Sequence, residues 1–479
     1  MSAPVVHDPL AALDATAQAA LVRSGELGPD ALVRAAIDRI ERLNPTLNAV
    51  VSTRYEQALT TAATASGPFA GVPYLLKDLV AEMAGSPLTE GSRYLRGHVS
   101  AVDSALVTRL RAAGLAIVGR SNAPEFGMTP TVEPELYGPC RNPWDITRST
   151  SGSSGGAAAA VAAGLVPMAH GNDLGGSLRY PASACGVFGF KPTRARVSLA
   201  PLYGDVINGL AVEHAITRSV RDSAALLDAT AGAEPGDPYL PPAPRRPFAA
   251  EVGADPGRLR IAYSPRTADG TPGHPDCLAA LDDAVALLVS LGHEVIETDL
   301  PGLDDRVGAA IGTMYQATMA WIIAHWTRRL GRAPADGELE PLTAAFWAGG
   351  QPVSAARYLL AIEDLQRFAR QVAGFLAPFD AWLTPTLSTP PLPLGEITST
   401  PDQPMRALQN GGRTVGYPGV VANITGNPAM SVPLWWNADG LPIGVHFLGR
   451  YADEAGLFRL AAQLEAARPW SNRIPPVSA

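Results

Sequence analysis

Lysine is nearly missing from this 479-residue chain: of 37 basic residues only Lys77 and Lys191 are lysine, and the other 35 are arginine. A chain that keeps itself soluble with arginine has little generic reason to place lysine inside an apolar segment. Arginine holds its proton near neutral pH, whereas a desolvated lysine gives it up. Cysteine is as scarce. Cys140, Cys185 and Cys277 are odd in number and widely spaced, which excludes a disulfide framework and a zinc-ligand pattern. Eight histidines show no metal-ligand spacing, and no cofactor motif is present. A formal net charge of −8 without a basic stripe excludes a nucleic-acid partner. The N-terminal stretch lacks the basic and apolar regions of a signal peptide. The longest weakly polar run, Ala157–Ala169, is too short and too rich in alanine to span a bilayer. These absences point to a cytoplasmic enzyme or binding protein with no membrane attachment. Hydrophobic residues at 47% against 17% charged exclude disorder.

What is present centres on Ser151–Thr193, SGSSGGAAAAVAAGLVPMAHGNDLGGSLRYPASACGVFGFKPT. Two small-residue loops, Ser151–Gly156 and Gly171–Ser177, flank an Ala/Val-rich segment that reads as a buried helix. Glycines at 152, 155, 156, 171, 175 and 176 leave backbone N–H groups uncovered, and each loop offers a hydroxyl. A hydroxyl beside bare amides is the equipment of acyl transfer. The missing part is a base. Lys77, closing the apolar run FAGVPYLLKDL (69–79), is the leading candidate, with a salt bridge to Asp78 or another carboxylate as the bland alternative.

Around this centre the chain reads as α/β. Helices are expected at 8–23 and 30–43, the second closed by Asn44-Pro45. Buried strands are expected at the run ending in Lys77 and at Ala116–Gly119, with a helix Ser104–Ala113 between them. A polar section broken by Gly and Pro follows Thr193 as far as Arg218, then a helix Ser219–Ala231. Residues 232–258 are the most linker-like stretch, either a boundary or an excursion over the surface. A second β–α–β pattern uses 260–263, 275–291 and 294–296. Residues 304–377 are helical and carry Trp321, His325, Trp326, Phe346 and Trp347. A strand at 381–384, a hairpin-like unit made of 423–433 and 441–448, and a helix 453–467 complete the chain.

Several motifs carry competing readings. Gly152-Ser153-Ser154-Gly155-Gly156 fits the G-x-S-x-G nucleophile elbow with Ser154 as nucleophile, but that elbow follows a strand and residues 142–148 make a poor one. A Ser/Gly turn capping the helix at Ala157 is the plainer reading. The amides of 174–177 suit an oxyanion, or serve as a turn rigidified by an Asp173–Arg179 pair. His170 reads as a satisfied structural histidine.

Taken together, GVPYLLKDL (71–79), GRSNAPEFG (119–127), RNPWD (141–145), the Ser151–Gly156 loop, GNDLGGSLRYPASACGVFGFKPT (171–193), NITGNPAMSVPL and GLPIG resemble the amidase signature family of serine hydrolases, collinearly over nearly the whole chain. The resemblance implies one domain over 1–479, its core at about 70–230 and a helical substrate cover at about 304–377. The implied fold is a large mixed central β-sheet covered on both faces by helices. It implies Lys77 as base, Ser153 as relay in a cis peptide and Ser177 as nucleophile, the two serines 24 residues apart. It further implies oxyanion-hole amides at Leu174, Gly175, Gly176 and Ser177, a substrate-lining Gly127, and supporting roles for Ser154, Asp173 and Arg179, with no metal or cofactor. The chain departs from the common pattern at Ser151, where glycine is usual, and at His170-Gly171-Asn172-Asp173. That second variant is similar to the 6-aminohexanoate cyclic-dimer hydrolase branch. Tyr180 stands where the amidotransferase A subunits carry glutamine. The implied activity is hydrolysis of small, cyclic, aryl or oligomeric amides, or of carbamates (urethanes), with a homodimer as the partner state to look for. The alternative is an amidotransferase subunit working with a partner.

Overall fold

The protein is described by a computed structural model covering residues 8–298, 303–417 and 419–479. Its strands, in chain order, are β1 (Val50–Thr53), β2 (Pro73–Lys77), β3 (Ala116–Ser121), β4 (Arg141–Asn142), β5 (Asp145–Ser149), β6 (Met168–Asp173) and β7 (Phe188–Lys191). They continue as β8 (Val212–Thr217), β9 (Arg260–Tyr263), β10 (Glu294–Glu297), β11 (Ala381–Pro385), β12 (Ala429–Trp436) and β13 (Pro442–Gly449). Eleven of them form one sheet in the order β1-β3-β2-β6-β8-β7-β12-β13-β11-β9-β10, and β4 and β5 pair separately. The sheet is mixed: β2 runs parallel to β3 and β6, and β9 to β10 and β11, while the central pairs are antiparallel. Residues 232–258 therefore cross over the surface between strands of the same sheet.

Alternation along each strand fills both faces. Tyr74 and Leu76 of β2 enter a core with Leu106, Val107 and Leu110, the helix Val220–Thr230 and the helix Glu454–Ala467. Leu75, between them, enters the opposite core with the helices Pro29–Leu47 and Gly155–Ala162. A strand buried on both faces shows no polar alternation, which is why β2 and β3 appear as continuous apolar runs.

Several boundaries differ from the sequence reading. The segment 8–23 is two helices, because Asp8 and Asp14 each accept an N–H at a helix start, from Leu10 and Ala17 respectively. The next helix runs through Pro45 to Leu47 and ends at Asn48, whose left-handed φ of 50° stops it. Asn44 serves the following turn instead: its Oδ1 accepts the N–H groups of Ala49 and Val50. Gly171–Asp173 belong to β6, so the second loop begins only at Leu174. The strand β8 lies in a section that reads as broken coil. Its sequence, VEHAIT, hides a central strand because Glu213 and His214 are buried polar residues, bonded to His170 and Ser223.

The region 304–377, expected to cover the substrate, is three helices, Asp305–Leu330, Pro341–Gly350 and Ala355–Leu376. The first is long and apolar enough to cross a membrane by length and composition, with an 18-residue window of mean hydropathy 1.3, the one such helix among the described residues. Met314 of this helix packs with Leu365 and Phe368 in one cluster, and Met319, Ile323 and Trp326 with Leu342 and Phe346 in another.

Candidate active site

The strand β2 delivers Lys77 to the interior of the sheet, between β3 and β6, where the side chain is fully buried. Its backbone N–H donates to His170 Nδ1 at 3.1 Å, and His170 Nε2 meets the Glu213 carboxylate across the β6–β8 pair. His170 is thus the structural residue expected, accepting at one ring nitrogen and donating at the other. The amine Nζ lies 2.7 Å from Ser153 Oγ and 2.7 Å from Asn172 Oδ1. Asn172 Nδ2 donates to Leu79 O at 3.3 Å, which turns the amide oxygen toward the lysine. No carboxylate pairs with Lys77 among the described residues; Asp78 instead accepts from Thr89.

Burial pushes the Lys77 pKa down to about 7, against the opposing charges of Glu213, Asp173 and Glu90. Near neutral pH a large share of the lysine is therefore a free amine. In that state Nζ donates to Asn172 and accepts the Ser153 O–H.

Ser153 follows a cis Gly152–Ser153 peptide bond and is itself buried. The adjacent turn is held by close backbone approach at Gly156, where a Cβ would lie 2.5 Å from both Asn122 N and Asn122 O. Ser154 points inward: its side chain is fully buried, its Oγ donates to Asn172 O at 3.2 Å, and its N–H donates to Ser177 O at 3.2 Å. The strand before it, β5, exists, but in a two-stranded ribbon apart from the central sheet. The G-x-S-x-G elbow is absent, and Ser154 ties the two loops together.

Ser177 differs from both of these serines in being partly exposed and lining a cavity of about 390 Å³. Its loop is fixed by Asp173. Oδ1 accepts the Gly176 N–H at 2.8 Å and Arg179 Nη2 at 2.9 Å; Oδ2 accepts the Leu178 N–H at 3.1 Å and Arg179 Nε at 3.0 Å. Burial raises the Asp173 pKa, but the Arg179 charge and hydrogen bonds outweigh it and hold the carboxyl below the ordinary range. The expectation of four oxyanion amides is corrected here, because the Gly176 N–H is turned to Asp173. Gly176 has φ of 138° and no room for a side chain, since a Cβ would lie 2.2 Å from the Tyr180 ring. The Leu174, Gly175 and Ser177 N–H groups make no hydrogen bond within the described residues.

Three supports were not visible in sequence. Asn423 lies 250 positions from Asp173 and donates to both its backbone oxygen (2.9 Å) and Oδ1 (3.0 Å). His446 contacts Arg179 Nη1 at 2.8 Å. Asn172 stands in the departure His170-Gly171-Asn172-Asp173 and Asn423 opens the motif NITGNPAMSVPL, the two signals available. Gly127 lines the cavity, with Met128, Ile311, Tyr315, Phe346 and Val420. Trp321, His325 and Trp326 line a smaller adjoining cavity of about 70 Å³. Trp347 lines neither, so the cover is narrower than its tryptophan content suggested. Ala268, Asp269 and residues 407–416 also reach the large cavity, from segments the sequence left without a role.

Comparison with known proteins agrees along the whole chain. The family model described as Amidase matches residues 31–458. A 6-aminohexanoate-cyclic-dimer hydrolase of Paenarthrobacter ureafaciens is 39% identical over 96% of this chain and 96% of its own. The solved structure of a 6-aminohexanoate cyclic dimer hydrolase complexed with substrate superposes with TM-score 0.93, 37% identity, and 98% and 100% coverage of the two chains. A bacterial aryl acylamidase of the amidase signature enzymes follows at TM-score 0.86, 26% identity, and 97% and 98% coverage. With sequence and backbone path agreeing over nearly the whole chain, the chain belongs to the amidase signature family, enzymes that hydrolyse amides.

Proposed function

We propose that the chain cleaves C–N bonds of small or oligomeric amides, linear or cyclic, through an acyl-enzyme on Ser177. The observation that carries this reading is the 2.7 Å contact between a fully buried lysine amine and the Ser153 hydroxyl, beside the one partly exposed serine of the two loops.

Neutral Lys77 accepts the Ser153 proton while Ser153 takes that of Ser177, whose oxygen attacks the carbonyl carbon. The developing oxyanion is held by the N–H groups of Leu174, Gly175 and Ser177. The proton returns through Ser153 to the departing nitrogen as the C–N bond breaks, and water then hydrolyses the ester by the same relay. Asp173, Arg179 and Ser154 keep the two loops in register and touch no reacting atom.

The large cavity is walled by Met128, Ile311, Tyr315, Phe346 and Val420 and suits an uncharged alkyl or aryl acyl group. Amide oligomers of the type handled by the cyclic-dimer hydrolases and aryl amides of the type named for the acylamidase fit that description. Carbamates present the same carbonyl and leaving group to the same walls.

The test is a panel of p-nitroanilides, aliphatic amides, cyclic amide dimers and dicarbamates offered to the purified chain, with intact-mass detection of the acylated protein. Turnover with an acyl adduct on Ser177 is expected. Undiminished turnover in Ser177→Ala would contradict the assignment.

A further inference from the structure

Two cavities meet at Ser177, and only one of them touches Ser153. Both include Gly127, Leu174 and Ser177; the smaller, of about 70 Å³, adds Ser153 and Glu90. At a tetrahedral carbon the acyl substituent and the departing nitrogen point apart, and the nitrogen must sit beside the hydroxyl that protonates it. On the catalytic reading proposed above, on which this inference rests, that hydroxyl is Ser153. The departing amine is thereby directed into the small cavity and the acyl group into the large one.

The wall of the small cavity holds an incompletely matched carboxyl. Glu90 is 4% exposed; its Oε1 accepts the Val80 N–H at 3.2 Å and its Oε2 accepts Trp326 Nε1–H at 3.1 Å. A carboxylate offers about four acceptor positions, so roughly half of this one's capacity is used by neutral donors. No arginine or lysine forms an ion pair with it among the described residues, and the Arg329 guanidinium is held by Glu82 at 2.5 Å. His325 supplies no resident charge, because burial and the nearby Arg329 and Arg328 hold its pKa below the ordinary value. Burial, with the charges of Asp78 and Glu82, drives Glu90 up to about 7, as expected for a carboxyl that lacks a cation. Aromatic rings complete the enclosure: Tyr203 stands 6.0 Å from Trp321 and 5.2 Å from His325. A carboxylate set among aromatic faces attracts an ammonium group from two directions.

We propose that the small cavity is a binding site for a short primary alkylamine, the leaving group's nitrogen end. The amine is held as ammonium, with Glu90 accepting its N–H and Tyr203 and Trp321 packed along its carbons. One water needs about 10–15 Å³ of such space, so the cavity admits a chain of only a few heavy atoms.

The test is calorimetric titration of the full chain near pH 7.5 with n-propylammonium chloride and with n-propanol, which share length but not charge. The ammonium should bind about tenfold or more tightly than the alcohol, the ratio of a charge-assisted hydrogen bond. Glu90→Gln should erase the difference. Trp321→Leu, at a side chain that is 40% exposed and so safely changed, should narrow it several-fold. Equal binding of the two ligands, or an undiminished ammonium preference in either variant, would overturn the amine site. In a chain that hydrolyses an N-propyl amide, that result removes the amine site alone; a chain that hydrolyses no amide removes both readings.

Discussion

The two lysines of this protein are the sharpest comparison it offers. Both are fully buried, both end a strand of the central sheet, and burial lowers both to a pKa of about 7. Lys77 sits among carboxylates that oppose the shift, and its amine faces a hydroxyl and an amide oxygen at 2.7 Å. Lys191 has Asp173 and Glu454 opposing the shift but also Arg179 and Arg194 deepening it, and its amine donates to Pro192 O at 2.8 Å and lines neither cavity. Rarity, burial and a depressed pKa are therefore shared by a candidate base and by a residue with no route to substrate. What separates them is a neighbouring hydroxyl with a second, accessible hydroxyl beyond it.

The largest expected effect is on the relay. Ser177→Ala and Lys77→Arg should each lose roughly 10³-fold or more in kcat/KM, because removing the nucleophile or fixing the charge ends the same proton path. Steady-state assays on an N-propyl amide check both, and an active Lys77→Arg would reduce Lys77 to a structural cation like its counterpart. The second effect is on pH. The proposed relay requires the neutral amine, so kcat/KM should rise as pH increases through about 7 and level off above it. Asn172→Asp puts a carboxylate where the amide oxygen lies 2.7 Å from Nζ, and an opposite charge at that range stabilises the protonated lysine. The rising limb should move up by about 1–3 pH units, with activity recovered at alkaline pH. A purely structural Asn172 would lower activity without moving the limb.

The smallest effects fall on Lys191. Lys191→Met should retain most of the wild-type kcat, since a buried charge-bearing group exchanged for an apolar one of similar volume is often neutral or stabilising. Its signature is in stability against pH. A lysine at about 7 when folded and at its ordinary value when unfolded makes the unfolded state bind more protons between those limits. Stability then rises with pH across that window, by at most about 1.4 kcal/mol per unit for each such lysine, and falls as pH drops toward 7. Denaturant titrations at several pH values should show a shallower slope in Lys191→Met than in the wild type.

Much of this contrast could be read from the chain itself, and the unread part has a common cause. Lys77 stood out because scarcity and an apolar setting are local properties. The strand β2, the parallel β9–β10 unit and the β12–β13 hairpin were likewise carried by local pattern. The strand β8 was missed because its polar residues are satisfied by partners on β6 and on the helix Val220–Thr230, which a window on the sequence does not contain. The Gly176 amide was assigned to the oxyanion because a glycine loop looks equivalent at every position; the Asp173 carboxylate makes it unequivalent. Asn423 serves the site from 250 residues away, and only the tertiary fold brings it there.

The scarcity of lysine also supplies the most direct experiment. In Lys191→Met, lysine labelled with ¹³C at the ε carbon gives a single resonance, that of Lys77, and its chemical shift against pH reports the charge on the amine itself. A midpoint near 7 is expected for a desolvated base in contact with Ser153. A midpoint near the ordinary lysine value of about 10.4 would show a permanently charged side chain and contradict its role as the base.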